Sequence, residues 1–201
     1  MLDCLQAACF FICKAYESGR EEQITNMKVQ KLLYYAQALY LALFDSPLFE
    51  DEIQAWRYGP VCPRAYQFYS KFEADQLPLP DYSSLSEING EIAELLEEVW
   101  DYFGEYHAYQ LSDMTHVEFP WKKARRGLPK DAASTEVIPL EDLRLLGQQK
   151  LEEVERENPV YSAALAHLLK QSFGEDSGKP EYIKQGEVHD WLTSLLASEN
   201  G

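Results

Sequence analysis

Most of the chain places apolar side chains at the three- and four-residue spacing of an amphipathic α-helix. The clearest case is residues 90–104, where one face is apolar and the other carries only acidic charges. Burial of the apolar face outweighs a repulsion of about 0.2–0.5 kcal/mol per pair of neighbouring carboxylates. The pattern therefore predicts a helix packed by one face. That face consists of Ile92, Leu95, Leu96, Val99, Trp100 and Phe103.

Residues 26–44 show a different pattern, because apolar side chains lie nearly all round the predicted helix. Thr25 or Asn26 supplies its N-cap. Such a helix is buried, or is half buried with its other half used by a partner. Lys28 and Lys31 then need carboxylate partners or a route to solvent.

Further helices are expected along the rest of the chain, with one extended interruption. Residues 53–58 have no helical period, and Gly59-Pro60 is expected to turn the chain. Residues 126–135 are expected to form a linker. The fold class is therefore mainly α: a compact multi-helix domain with at most a short extended segment near residues 53–58, plus C-terminal helices. The other expected helices cover Leu5–Ile12, the segment after Pro63 (with Ala65, Phe68, Tyr69 and Phe72 inward), 109–115, a segment from Pro120, 139–157 (with Leu140 and Leu143 inward), 159–173 and 187–196.

Composition and charge narrow the possible function classes. The chain has 201 residues, of which 46% are hydrophobic, so it can bury a core without disulfides. Its 34 acidic and 18 basic residues give a net charge of −16. This charge argues against non-specific binding to nucleic acids or to anionic membranes. No apolar run is long enough to cross a bilayer, and no signal peptide is evident, so we expect a cytoplasmic protein.

The four cysteines, Cys4, Cys9, Cys13 and Cys62, are expected to be reduced thiols. Cys9 and Cys13 lie one helical turn apart and could hold a metal with Cys62 and a histidine. The same spacing is more typical of small side chains packed in a core, so no metal and no cofactor are predicted.

Catalytic signatures are missing from the sequence: it has no glycine-rich phosphate loop, G-x-S-x-G, H-E-x-x-H or C-x-x-C. Asp113 and His116, with Glu118 nearby, could form an acid–base pair. A local hydrogen-bond set at a helix end is the favoured interpretation, so no catalytic residue is predicted. The basic cluster at 122–126 either binds phosphate or an acidic partner, or neutralises neighbouring acids.

Several motifs together suggest a family. Residues 28–35 read K-V-Q-K-L-L-Y-Y, residues 55–60 read A-W-R-Y-G-P, and residues 111–116 and 120–125 read L-S-D-M-T-H and P-W-K-K-A-R. This combination closely resembles the Panacea domain of SocA-type antitoxin-like proteins, also called GepA-like phage-associated proteins. Cys62 departs from the family pattern, in which an aliphatic residue is usual.

The resemblance implies a helical domain over residues 1–150 that neutralises a toxin encoded by an adjacent gene, by direct protein–protein binding. Residues 151–201 would be a helical extension, packed on this domain or specific to a partner. The acidic surface would favour capture of a basic toxin. Homo-oligomers are possible, and a nucleic-acid or membrane partner is not expected.

Residues of the motif block are the predicted partner contacts, because large aromatics dominate interfaces and burial does not explain the polar residues. For Trp56 and Tyr35 a place in the core is the favoured interpretation. The predicted contacts are Lys28, Gln30, Lys31, Tyr34, Tyr35, Trp56, Tyr58, Gly59, Pro60, His116 and Trp121.

Two other functions stay open at this stage. One is an adaptor that delivers a partner to a protease or another machine, with residues 187–196 as a docking helix. The other is an enzyme that uses Asp113 and His116.

Overall fold

A computed structural model describes residues 2–81, 88 and 90–157. It confirms the mainly α fold, with one small two-stranded antiparallel sheet. The helices predicted at 159–173 and 187–196 lie outside the described residues. The described helices and strands are α1 Cys4–Glu17, α2 Asn26–Phe44, β1 Gln54–Trp56, β2 Gly59–Val61, α3 Pro63–Tyr69, α4 Gly90–Phe103, α5 Ala108–Val117, α6 Phe119–Ala124 and α7 Leu140–Glu157.

The chain divides into two compact units, Met1–Gln149 and Lys150–Gly201. Of the second unit, the structure describes only Lys150–Glu157, the last turns of α7. The assignment of residues 151–201 to a separate extension stays a prediction. No helix in the described part of the chain is both long enough and apolar enough to span a bilayer.

Helix α2 is the centre of the first unit and contacts α1, α3, α4, α5 and β2. The Thr25 hydroxyl caps it by accepting a hydrogen bond from the Lys28 amide. Its side chains are buried on every face from Lys28 to Leu39. The prediction of a buried helix is confirmed, and the neighbours of α2 leave none of this stretch open to a partner.

Helices α1 and α4 pack on α2 as amphipathic helices. Asp3 begins α1 with a capping box shared with Gln6. The predicted apolar stripe of α4 is buried along its whole length. Lys14 of α1 pairs with Glu97 on the acidic face of α4, with 2.7 Å between Nζ and Oε1.

The expected turn at Gly59-Pro60 is wrong by two residues. Strands β1 and β2 form a hairpin in which Trp56 pairs with Gly59, so Arg57 and Tyr58 are the turn. Gly59 has a φ of +97°, which glycine adopts without strain.

Two predicted inward positions are also wrong. Phe68 is 59% exposed, because the short helix α3 buries only the narrow line through Ala65 and Tyr69. Leu140 is 47% exposed because it begins α7 one turn before Leu143, which is fully buried.

Candidate functional site

The hairpin is held from beneath by side chains that bind its backbone carbonyls. Lys31 Nζ of α2 donates to the Pro60 carbonyl at 3.0 Å. Four more side chains do the same: two from α5, one from α6, and that of Arg125, the C-cap residue of α6. We call Lys31 and these four side chains the hairpin cradle. The four bonds run from Ser112 Oγ to the Tyr58 carbonyl (3.1 Å), His116 Nε2 to Arg57 (3.1 Å), Trp121 Nε1 to Trp56 (2.8 Å) and Arg125 Nη1 to Ala55 (3.2 Å).

The donors of the cradle and the carbonyls that they bind follow a regular order along the chain. Ser112 and His116 are one helical turn apart on α5, and Trp121 and Arg125 are again four residues apart. As the donors advance along the chain, the carbonyls they bind run backward from 58 to 55. Backbone groups of a short hairpin would otherwise depend on water, so this ladder fixes the hairpin in one orientation.

Lys31 is the most constrained member of the cradle. It is 1% exposed, and burial lowers the pKa of its ammonium group to about 7. A Cβ on Gly59 would lie 2.8 Å from Lys31 Nζ and 2.6 Å from Thr115 Oγ1. Only a glycine therefore lets the hairpin approach this closely.

Lys28 is buried beside the C-terminal end of α4. Its Nζ donates to the Gly104 carbonyl at 2.7 Å and lies 5.3 Å from the centre of the Trp100 ring. Burial, reinforced by Arg20, lowers its pKa to about 8. The expectation of carboxylate partners or solvent is wrong for both lysines, because backbone carbonyls accept their hydrogen bonds.

Gln30 ties α2 to the end of the hairpin. Its Oε1 accepts from the Cys62 amide at 2.9 Å, and its Nε2 donates to Asn26 Oδ1. Asn26 in turn donates to the Tyr66 carbonyl. The polar residues of the K-V-Q-K motif thus fasten the backbone of neighbouring segments to α2.

Tyr34 and Tyr35 are core residues. Tyr35 stacks on Phe103 with ring centres 3.9 Å apart and donates to Glu118 Oε1 at 3.1 Å. The pKa of Tyr34 is raised by burial and by the nearby Glu118 carboxylate.

His116 forms its hydrogen bond with the hairpin backbone and not with Asp113. Because the Arg57 carbonyl only accepts, His116 carries its proton on Nε2. Burial lowers the pKa of the imidazole, and its ring packs on Trp121 at 4.5 Å. Asp113 is exposed on α5. The local hydrogen-bond set of Asp113, His116 and Glu118 that the sequence favoured is wrong for His116, because its partner is the Arg57 carbonyl, 59 residues away in the chain.

The basic cluster at 122–126 divides into separate roles. Lys123 pairs with the buried Asp142 at 2.7 Å, as expected for neutralisation. Arg125 instead is 1% exposed, lies over the Trp121 ring and also donates to the carbonyls of Pro129 and Ala132, at 2.7 Å each. The supposed linker therefore wraps a buried guanidinium group.

The outer surface of the hairpin is aromatic and exposed. Tyr58 is 56% exposed, and the Arg57 guanidinium lies 5.0 Å from the centre of its ring. Trp56 is half-buried and packs edge-on against Tyr66, with ring centres 5.0 Å apart. We call these four residues the hairpin tip.

Of the predicted partner contacts, only Tyr58 is exposed and Trp56 half-buried. The others are in the interior, where they hold the hairpin or fill the core, and their role in partner contact stays a prediction. These buried residues are Lys28, Gln30, Lys31, Tyr34, Tyr35, Gly59, Pro60, His116 and Trp121.

The prediction missed Arg57 and Tyr66 at the tip and Ser112 and Arg125 in the cradle. The repeated four-residue spacing in S-x-x-x-H and W-x-x-x-R was an available signal for the last two.

A second exposed surface is the acidic face of α4. Glu94, Glu97 and Asp101 are exposed at helical spacing. The pKa of the half-buried Glu98 is raised by burial and by these neighbouring carboxylates. Apart from the pairing of Glu97 with Lys14, the face is therefore a negative surface of a kind that attracts cationic groups.

Comparison with known proteins shows which family part of this chain resembles. Residues 29–122 match the family described as "Antitoxin SocA-like, Panacea domain". Over 47 residues the chain is 40% identical to "Antitoxin SocA" of Caulobacter vibrioides (strain NA1000 / CB15N), which covers 23% of this chain and 25% of that protein. No solved structure matches. The matched range contains the hairpin and all of the cradle except Arg125. Residues 29–122 of this chain are therefore similar to the Panacea domain of antitoxin SocA-like proteins.

Proposed function

We propose that this protein is an antitoxin that binds a cognate toxin directly and neutralises it without a catalytic step of its own. The match of residues 29–122 to an antitoxin-like family supports the class of function. The name of the similar Caulobacter protein supports it as well. We further propose that the toxin is encoded by an adjacent gene and that both proteins act in the cytoplasm.

The hairpin tip is the proposed contact surface. The observation that carries this assignment is the cradle, which binds five backbone carbonyls of residues 55–60 and leaves Arg57 and Tyr58 facing outward. A surface already fixed in one conformation loses little entropy on binding. Tyrosine and arginine are also among the residues that dominate binding energies at interfaces.

The charge of the chain favours a basic toxin. With a net charge of −16 and an acidic face on α4, the protein would attract a cationic partner over about a Debye length, and salt would slow the association.

Co-expression tests this function. Each gene flanking this one is expressed with and without the antitoxin, and growth is measured. We expect one neighbour to be toxic alone and tolerated with the antitoxin, and the two products to purify together.

A matched pair of variants tests the surface. Tyr58→Ala should weaken toxin binding by about tenfold to a hundredfold, as expected for an interface hot spot. Phe68→Ala is the control, since Phe68 is exposed to the same degree (59% against 56%) but lies on α3. Equal loss in both variants, or loss in neither, would contradict the assignment of the tip. Absence of any toxic neighbour that is rescued would contradict the function itself.

A further inference from the structure

Two cysteines and an aspartate meet at the opposite end of the hairpin from its turn. Cys4 is the first residue of α1, Cys62 directly precedes α3, and Asp51 lies in the segment between α2 and β1. Their sulfur and carboxylate atoms lie within 4.8 Å of one another. Both cysteines are fully buried and Asp51 is half-buried. The metal-ligand group considered from the sequence, Cys9 and Cys13 with Cys62 and a histidine, is not the one that the described residues bring together.

Hydrogen bonds at this position act on the two thiols in opposite directions. Cys62 accepts hydrogen bonds from the Cys4 thiol and from the backbone amides of Ala65 and Arg64 at the start of α3. These bonds, that from Cys4 above all, lower the pKa of Cys62 and raise that of Cys4. The Arg64 guanidinium lies 4.0 Å from Cys4 Sγ and pairs with Asp51 at 3.3 Å.

A cleft of about 390 Å³ opens beside Asp51, which lines it. Three acidic side chains and one basic side chain contribute to its wall, so it is a negatively charged route for a cation from solvent. The cleft is lined by Leu2, Asp3, Glu50, Asp51 and Arg64.

We propose that Cys4, Cys62 and Asp51 bind a thiophilic divalent cation of the zinc class, with Asp51 as the ligand on the side of the cleft. Tetrahedral zinc holds sulfur at about 2.3 Å and carboxylate oxygen at about 2.0–2.2 Å, which places neighbouring ligand atoms roughly 3.5–3.8 Å apart. The observed group needs only small side-chain movements to reach this geometry. A divalent cation would cancel two of the three negative charges of two thiolates and one carboxylate. The half-exposed Arg64 lies beside them and pairs with Asp51 at 3.3 Å and with Asp3 at 2.7 Å.

Bound metal would join three separate segments: the start of α1, the segment after α2 and the end of the hairpin. This role is independent of the antitoxin function, because it concerns how the hairpin is anchored and not what its tip contacts. Since the unfolded chain does not hold these ligands together, binding should add to stability.

The test uses the full chain, reduced and stripped of metal with a chelator, and titrated with Co²⁺ as a spectroscopic probe and then with Zn²⁺. We expect one Co²⁺ per chain with a thiolate-to-cobalt charge-transfer band, displacement of the cobalt by zinc, and a higher melting temperature with zinc.

Three variants assign the ligands. Cys62→Val should abolish the charge-transfer band, and Asp51→Asn should keep the band but weaken zinc affinity by about tenfold or more. Cys9→Ala is the control thiol variant and should bind as the wild type does. Circular dichroism checks that each variant is folded, and Asp51→Asn, which changes no buried thiol, keeps the test decisive if Cys62→Val fails to fold.

Three results would overturn the proposal. They are the absence of a charge-transfer band in the wild type, a band that survives in folded Cys62→Val, and a zinc affinity that Asp51→Asn leaves unchanged. Mass spectrometry that finds only a Cys4–Cys62 disulfide under reducing, metal-loaded conditions would overturn it as well.

Discussion

Helix α4 and the hairpin are positioned by opposite means. Helix α4 is held by burial of its own apolar side chains, and regular i to i+4 hydrogen bonds pair the backbone groups of its interior. The hairpin has three residues per strand, and its carbonyls are bound by side chains from α2, α5, α6 and Arg125. An element of the first kind is fixed by local sequence, whereas the second depends on donors up to 70 residues away. The difference teaches that a short, exposed element can be rigid when its support comes from the core.

The largest expected effect comes from adding a side chain at Gly59, where the hairpin lies against Lys31 and Thr115. Gly59→Ala should destabilise the protein by about 4 kcal/mol, because it adds overlap with Lys31 and Thr115 to the strain of a positive φ. Chemical denaturation measures this loss. Gly127 is the matched control: its φ is +81°, but no atom lies within 4 Å of a Cβ there. Gly127→Ala should therefore lose about 1 kcal/mol, and equal losses in the two variants would contradict the close approach.

Removing the buried guanidinium group should have the next largest effect. Arg125→Met leaves the carbonyls of Ala55, Pro129 and Ala132 without their donor, which should reduce stability by about 3 kcal/mol. Lys122→Met, an exposed member of the same basic cluster, should change stability by less than about 0.5 kcal/mol. Hydrogen exchange should also accelerate at residues 54–61 in Arg125→Met and stay unchanged in α4. Acceleration spread evenly over both elements would mean that Arg125 supports the whole core rather than the hairpin.

The buried Lys31 should make the stability of the protein depend on pH. Lys31 has a pKa of about 7 in the folded protein and an ordinary value of 10.5 when unfolded. Between these values the unfolded chain binds more protons, so the unfolding free energy should rise with pH, by up to about 1.4 kcal/mol per pH unit. The cost of burying the charge is fully present below pH 7. Lys31→Met should lack this rise.

Denaturation curves at several pH values between 6 and 10 measure the effect as the difference between wild type and variant. Lys28 and the remaining groups titrate in both proteins and cancel. Parallel pH profiles for wild type and Lys31→Met would show that Lys31 stays charged in its buried site.

The smallest effect concerns the acidic face of α4. Glu94→Gln removes repulsion from Glu91, Glu97 and Glu98 at helical spacing and should stabilise the protein by about 0.5 kcal/mol at low salt. High salt should erase the gain. A loss of stability at low salt would indicate that Glu94 has a favourable role in the folded chain.

The sequence was sufficient for elements whose stability is local. The apolar period gave α4 and its buried stripe, and the Thr25 cap gave the start of α2. Phe68 was misplaced because a two-turn helix buries less of its circumference than the period assumes.

The sequence predicted which residues belong to the candidate site, but not what each of them does there. The motif residues around 28–35 and 55–60 do meet in space, yet most of them are supports inside the protein. Every residue has a backbone carbonyl, so the sequence cannot indicate which carbonyls accept hydrogen bonds from Lys31, His116 and Arg125. The exposed positions, Arg57 and Tyr58, were distinguishable only once the turn was located correctly.

Photo-crosslinking tests the central claim most directly, that the cradle holds the hairpin so that its tip contacts a toxin. A photoreactive phenylalanine analogue replaces Tyr58 in one strain and Phe68 in another, and each is co-expressed with the flanking genes. The account predicts a crosslinked product with the toxic neighbour from position 58 and none from position 68. Crosslinks from position 68 alone, or equally from both positions, would contradict it.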